Sequence, residues 1–227
     1  MTSLARSQIE ANPQKLVSVL AAPEHEVQLL SAVAAPWRVL CDAARRDGIA
    51  LFPVSGFRSV DRQTAIWNRQ FEEHCAQGLD ASAAVAKILE YSAPPGWSRH
   101  HWGTEIDLIS QALTGTPRLD PKDWQSGGPL AETGAWLEAN APEYGFLRPY
   151  DRPRGGFFPE PWHWSFAPFA LPQLARMEQV DWRTWLSSGK GDESAAGPFA
   201  GAPLLLEDLE QKRRRFFYGI NPRLIPA

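Results

Sequence analysis

The sequence predicts an α+β fold, built as a single domain with a C-terminal helical tail. Three observations predict it. Apolar residues recur at helical spacing in some stretches and in short unbroken runs in others. The order of these stretches is helix, strand, two helices, strand, helix, strand, which lacks the regular βαβ alternation of a parallel sheet. With 227 residues, 44% hydrophobic and 22% charged, the chain can bury roughly 70% of its unfolded surface without a disulfide scaffold. The same figures exclude a disordered chain, a coiled coil and a collagen-like fibre.

The elements follow in order. Residues 26–47 carry apolar positions at helical spacing and stop at Gly48, a natural cap, with Pro36 expected to kink or divide the helix. IALFPVS, residues 49–55, reads as a short buried strand. Residues 60–77 and 80–91 read as two helices, the second capped by Asp80. The loop APPGW leads into a histidine-rich segment and then the strand TEIDLIS. Residues 111–130 are rich in Pro, Gly and Asp and read as a surface excursion. AWLEANAPEYGF contains a short helix, and residues 157–166 contain a final strand after Pro159. Four parts result: an N-terminal segment 1–25, a main domain 26–186, a linker 187–203, and a C-terminal helix and tail 204–227.

Charge and composition narrow the partners. The formal charge is −3, without the basic balance of a duplex-binding protein, so no nucleic-acid partner is expected. Lys212 to Arg215 form a basic run beside Phe216, Phe217 and Tyr218, read as a solvated face whose aromatics dock on the body. No 18 apolar residues run together, so no membrane insertion is expected. The first residues lack the apolar core of a secretory signal, and the expected compartment is the cytoplasm. Cys41 and Cys75 show no metal spacing and read as free thiols. The 10 Trp and 20 Pro suggest rigid loops around an aromatic-lined cleft, or a Trp-rich core.

Chemistry concentrates in SRHHWGTEID, Ser98 to Asp107, and EPWHW, Glu160 to Trp164. Three of the five His in the chain fall there. A catalytic zinc site needs three protein ligands and an open position, and His100, Asp107 and His163 could supply the three. Glu160, stiffened by Pro161, could exchange a proton with metal-bound water. Spacing alone leaves packed or surface histidines as an equal alternative.

Five stretches are similar to the VanY-type D-alanyl-D-alanine carboxypeptidases, the zinc peptidase family that includes the VanX-type D,D-dipeptidases. SGFRSVDRQ resembles the family's SGYRSxxxQ, and PPGWSRHHWGTEIDL its PPGxSxHxxGxAxD. AWLEANAPEYGF resembles WLxxNAxxYGF, LRPY an LRYP-like turn, and EPWHW the final ExWH signature. The order and spacing agree over about residues 26–167. The resemblance implies a hedgehog/D,D-peptidase-like fold, with a small central antiparallel sheet flanked by helices.

The resemblance also implies roles. His100, Asp107 and His163 would bind one Zn2+, with His100 rather than His101 in the ligand frame. Glu160 would be the general acid/base, and Arg58 would face the substrate carbonyl or carboxylate. Gln63 and Ser98 would hold the peptide. Two residues depart from the pattern. Glu105 stands where the family usually has a small residue, and Arg99 where it has Glu or similar. Glu105 and Asp107 fall on the same side of a strand, so Glu105 would either orient a metal ligand or add charge near the pocket. Arg99 would either bind a substrate carboxylate or face solvent. Trp97, Trp102, Trp162 and Trp164 would partly wall the cleft and partly pack the sheet.

The implied substrate is a peptidoglycan-derived peptide ending in D-alanine. A cytoplasmic enzyme favours the L,D bond of tetrapeptides, in muropeptide recycling, over the D,D bond of pentapeptides. Two other readings stand: a delivered or phage wall-degrading peptidase, and a zinc-stabilised binding module without catalysis.

Overall fold

The structure, a computed structural model, describes residues 2–22, 25–113, 119–188 and 199–226. Most of the expected linker, residues 189–198, lies outside the described residues. The chain opens with α1 (Thr2–Ile9) and a hairpin of β1 (Leu16–Ala22) and β2 (His25–Leu30). Periodicity predicts helix from residue 26, but the helix, α2 (Ser31–Arg46), starts five residues later. Val27 and Leu29 are buried while Glu26 is exposed, the alternation of a strand, and β1 pairs with this stretch through Leu16↔Leu30. Five residues fit either period, and the distant partner strand decides between them. Pro36 lies inside an undivided α2, whose buried Val33, Trp37, Leu40 and Ala44 anchor it on both sides of the proline.

Then come β3 (Leu51–Ser55), α3 (Val60–Ala76) and α4 (Ala81–Ile88), with Asp80 accepting from the Ala83 amide at 2.8 Å as the N-cap of α4. The chain continues through β4 (Glu105–Ser110), α5 (Ala131–Asn140), β5 (Phe146–Leu147) and β6 (His163–Phe166). Helices α6 (Ala167–Met177), α7 (Trp182–Ser187), α8 (Pro203–Leu206) and α9 (Leu209–Tyr218) close it. The sequence pattern names no element between 167 and 186. Two helices form there because Leu174, Met177, Trp182 and Trp185 complete a core that is otherwise open.

The α+β architecture is thus a small antiparallel sheet flanked by helices. Its four strands run β3-β4-β6-β5, and central β4 is buried along its whole length. Alternation along β4 divides the molecule. Ile106 and Leu108 join Trp37 and Leu40 of α2 and Leu137 of α5 in one core. Each such fully buried aliphatic side chain contributes about 1.5–3 kcal/mol. Glu105 and Asp107 point to the other face.

A second core lies beyond that face. Trp97 meets Trp182 and Phe217 there, with ring centroids at 6.1 and 5.3 Å. Phe216 and Phe217 of α9 are therefore buried in the body, Tyr218 is half-buried, and within the basic run Arg213 pairs with Glu178 and Glu210. Cys41 and Cys75 are free thiols. Among the described residues, no helix is long and apolar enough to cross a membrane.

Candidate active site

His100 sits in a short 3-10 turn, Arg99–Trp102, that ends at Gly103. Gly103 has φ +68°, and a Cβ there would lie 3.2 Å from both Leu16 and Leu30, so the turn needs glycine at this point. Backbone bonds fix the turn from three directions. Ala11 N–H donates to His101 O at 2.7 Å, Leu30 N–H to Gly103 O at 3.0 Å, and Arg58 N–H to His100 O at 3.1 Å. His100 Nδ1–H donates to the Gly56 carbonyl at 2.7 Å, which leaves Nε2 free to face Asp107 Oδ2 at 3.2 Å.

Asp107 and His163 are direct register partners between β4 and β6. His163 Nδ1 lies 3.1 Å from Asp107 Oδ1 and 3.4 Å from Glu160 Oε2. Its Nε2 points the other way, to Glu105 Oε2 at 2.8 Å. The turn before β6 holds Glu160, whose N–H donates to Tyr150 O at 3.0 Å.

These groups fit a metal. Ligand atoms of His100, Asp107 and His163 lie within 4.8 Å of one another, and all three residues are buried. Tetrahedral ligands at about 2.0–2.1 Å from zinc stand roughly 3.3 Å apart, close to the two separations just given. Asp107 Oδ1 is also buried without a hydrogen-bond partner: the His163 contact has ion-pair distance but not hydrogen-bond alignment. A buried carboxylate oxygen left that way is costly, and a cation in the gap would satisfy it.

The electrostatics follow from burial opposed by close charges. Burial favours a neutral Asp107, but His100 and His163 outweigh it and hold the carboxyl well below the usual range. Burial likewise opposes a charged His163, yet Asp107, Glu105 and Glu160 together push it well above the ordinary imidazole value. In Glu105 burial is overcome by Arg99, His163 and Ser165, leaving a value of about 2. Glu160 moves up, because burial prevails there. His100 moves down, chiefly through burial.

Arg58 closes another side. Its guanidinium donates to Gln63 Oε1 at 2.8 Å and Ser55 Oγ at 3.0 Å, and lies 3.8 Å from Asp107 Oδ2. Gln63 is fully buried, and its amide nitrogen donates to Ala93 O at 2.7 Å. Both ends of that amide are engaged by the protein, so Gln63 steadies Arg58 from behind. Ser98 lines the cleft. Arg99 is buried rather than solvent-facing: it donates to Ser165 Oγ at 2.8 Å, pairs with Glu105 at 3.3 Å, and lies 4.5 Å over the Trp102 ring. His101 stays outside the ligand group. Its Nδ1–H donates to Arg58 O at 2.6 Å, and its Nε2 accepts from Gly96 N–H at 3.1 Å.

The open side is a cleft of about 630 Å³, bordered by Tyr91, Tyr150, Phe157 and Trp162. Of the four Trp beside the ligand motifs, only Trp162 lines it, while Trp97 and Trp102 pack in one core and Trp164 in the other. Tyr91 lies outside the motif stretches, and Tyr150 belongs to the LRPY turn without being singled out there as a site residue. Tyr150 follows the LRP turn, where its ring reaches His163 at 5.1 Å between centroids.

Comparison with known proteins points one way. The family profile described as "D-alanyl-D-alanine carboxypeptidase", VanY, matches residues 26–169. A D-alanyl-D-alanine carboxypeptidase of Enterococcus faecalis is 29% identical over 130 residues, 56% of this chain and 44% of the relative. An uncharacterized protein of Haemophilus influenzae is 33% identical over 121 residues, covering 50% of this chain and 85% of the relative. The chain thus spans less than half the length of the enterococcal relative. Among solved structures, the LdcB LD-carboxypeptidase superposes with a TM-score of 0.55 at 24% identity, over 76% of this chain and 81% of that one. A vancomycin-resistance D,D-pentapeptidase VanY in complex with Zn(II) gives 0.52 at 24% identity, over 77% and 95%. At that identity these two establish likeness of fold.

Proposed function

The chain belongs to the VanY family of D-alanyl-D-alanine carboxypeptidases, and from that membership we propose that it is a zinc-dependent carboxypeptidase releasing C-terminal D-alanine from peptidoglycan-derived peptides. The observation that carries the reading is the place of Glu160. Its carboxylate lies 3.4 Å from His163 Nδ1, on the metal-facing side of the ring, in a buried cleft.

Bound zinc would polarise the scissile carbonyl and make its water acidic enough to be used near neutral pH. The protein supplies the rest. Glu160 takes the proton of the attacking water and returns it to the leaving amine, from a carboxylate held 3.4 Å from His163 Nδ1. Arg58 meets the negative charge developing on the carbonyl oxygen with a planar cation held in place by Gln63 and Ser55. Ser98 meets the peptide along the cleft wall. Arg99 also borders the cleft, with its guanidinium held by Glu105 and Ser165, and either Arg58 or Arg99 would meet a substrate carboxylate there.

The L,D bond of a tetrapeptide and the D,D bond of a pentapeptide end in the same D-alanine carboxylate. We favour the tetrapeptide, whose trimming would serve muropeptide recycling. Offering both stems to the purified protein, with and without a chelator, and following the products by mass tests the whole reading. D-alanine release that a chelator abolishes supports it, and the stem that is cut assigns the bond. Release that resists the chelator, or no release from either stem, overturns it. Glu160→Gln should retain zinc and lose at least about 100-fold in kcat.

A further inference from the structure

The carboxylate of Glu105 is fully buried, and every donor around it is supplied by the protein. Oε1 accepts from Ser165 Oγ at 2.7 Å and Thr104 Oγ1 at 2.9 Å, and Arg99 approaches both oxygens at 3.3 and 3.4 Å. Oε2 accepts from His163 Nε2 at 2.8 Å. The register explains the geometry. Glu105 pairs with Ser165 and Asp107 with His163, so Glu105 and His163 are diagonal neighbours on one face of the β4–β6 ladder.

We propose that Glu105 is the positioning residue for His163, holding the Nε2 proton so that Nδ1 is presented to the metal, with Arg99 and Ser165 maintaining the buried carboxylate for that task. A buried Arg–Glu pair is seldom worth its desolvation cost as a stabilising device, and apolar residues would fill the same space at least as well. What apolar residues cannot do is accept the Nε2 proton. The other candidate ligand, His100, is oriented by a neutral backbone carbonyl, Gly56 O. The two imidazoles are therefore held by different acceptors, and only His163 is held by a charge that a side chain brings. A carboxylate behind a ligating imidazole fixes the ring and strengthens it as a donor to the metal.

The inference rests on the zinc reading of the site, so the test measures zinc directly. Zinc affinity is determined by competition with a chromophoric chelator for wild type, Glu105→Gln and the double variant R99M/E105L, which removes both charges together. Each variant's fold is checked by circular dichroism. The expected order is wild type, then Glu105→Gln, whose amide oxygen can still accept from Nε2, then the double variant, weaker than wild type by about 10–100-fold. In the zinc-loaded wild type, a slowly exchanging imidazole Nε2–H signal from His163 should appear by NMR, persist in Glu105→Gln and vanish in the double variant. Wild-type affinity in a folded double variant overturns the proposal, because a merely structural ion pair can be replaced as a unit. If the double variant does not fold, wild-type affinity in Glu105→Gln together with a His163 Nε2–H that already exchanges rapidly in zinc-loaded wild type overturns it. Wild-type protein that binds no zinc overturns the proposal together with the reading beneath it, whereas wild-type binding with an unaffected double variant overturns the proposal alone.

Discussion

Asp107 and His163 face each other directly across β4 and β6, with Oδ1 3.1 Å from Nδ1. Backbone pairing, not a flexible loop, sets that separation. Loss of Asp107 should therefore remove a candidate ligand without disturbing the frame around it. Asp107→Ala is expected to weaken zinc binding by more than about 100-fold, beyond the usual effect of losing an outer hydrogen-bond partner. Chelator competition gives the affinity and circular dichroism the fold; near-native affinity would remove Asp107 from the ligand set.

Arg58 tests the charge-stabilising role separately from metal binding. A lysine keeps the charge but lacks the planar fork that Gln63 and Ser55 hold. Arg58→Lys should lower kcat/KM by about 100- to 1000-fold while zinc affinity stays within a factor of a few. Equal losses in both measurements would mean that Arg58 acts through the metal site instead.

His101 makes a prediction about pH. Burial pushes this imidazole down to about 3, and its Nε2 already accepts from Gly96 N–H, so an added proton has no acceptor. A folded-state value below the unfolded value near 6.5 means that the unfolded chain takes up the proton first. The contribution of His101 is thus fully present above pH 6.5 and is lost as pH falls from there toward 3. In chelator-treated protein, His101→Asn should cost about 2 kcal/mol or more at pH 7.5. That deficit should shrink by about 1.4 kcal/mol per pH unit below 6.5. Urea titrations across the range supply the test, and a deficit independent of pH would refute it.

Gly103 is a backbone requirement rather than a chemical one. At φ +68° with Leu16 and Leu30 at 3.2 Å, Gly103→Ala should destabilise by about 1–3 kcal/mol and weaken zinc binding in parallel, since His100 rides on the same turn. Chemical denaturation and chelator competition should move together; an unchanged midpoint would count against the strain.

Phe217 connects the C-terminal helix to the loop before His100 through its 5.3 Å contact with Trp97. Phe217→Ala should lower stability by about 3–5 kcal/mol, as for other large-to-small changes in a packed core. A loss under 1 kcal/mol, measured by thermal or urea unfolding, would show that α9 is a loosely attached appendage.

Much of this was legible in the residues. β4 shows in TEIDLIS, and the N-cap of α4 shows in Asp80, because both signals are local. The group His100, Asp107 and His163 was legible only because motifs carry spacing that the fold turns into proximity. The start of α2 was not, since Val27 and Leu29 fit a helix or a strand until β1 pairs with them. The burial of Arg99 was equally hidden. An arginine beside a histidine reads as solvent- or substrate-facing until Glu105 and Ser165 are brought under it from two strands. Tyr150 joined the cleft through a turn that no periodicity marks.

The loop ahead of His100 is fastened by residues that come far later in the chain. Trp185 Nε1 donates to Pro95 O at 3.1 Å, and Gly96, at φ +94°, lies so near the same indole that a Cβ would stand 2.6 Å from its nitrogen. Trp67, on α3, is tied to Ala200 by its own indole N–H at 2.7 Å. During synthesis, His100 and Asp107 leave the ribosome well before the residues of these clamps, so the loop gains both fastenings only as long-range contacts. A nascent chain that has not yet reached α7 therefore lacks the indole that holds Pro95 and crowds Gly96.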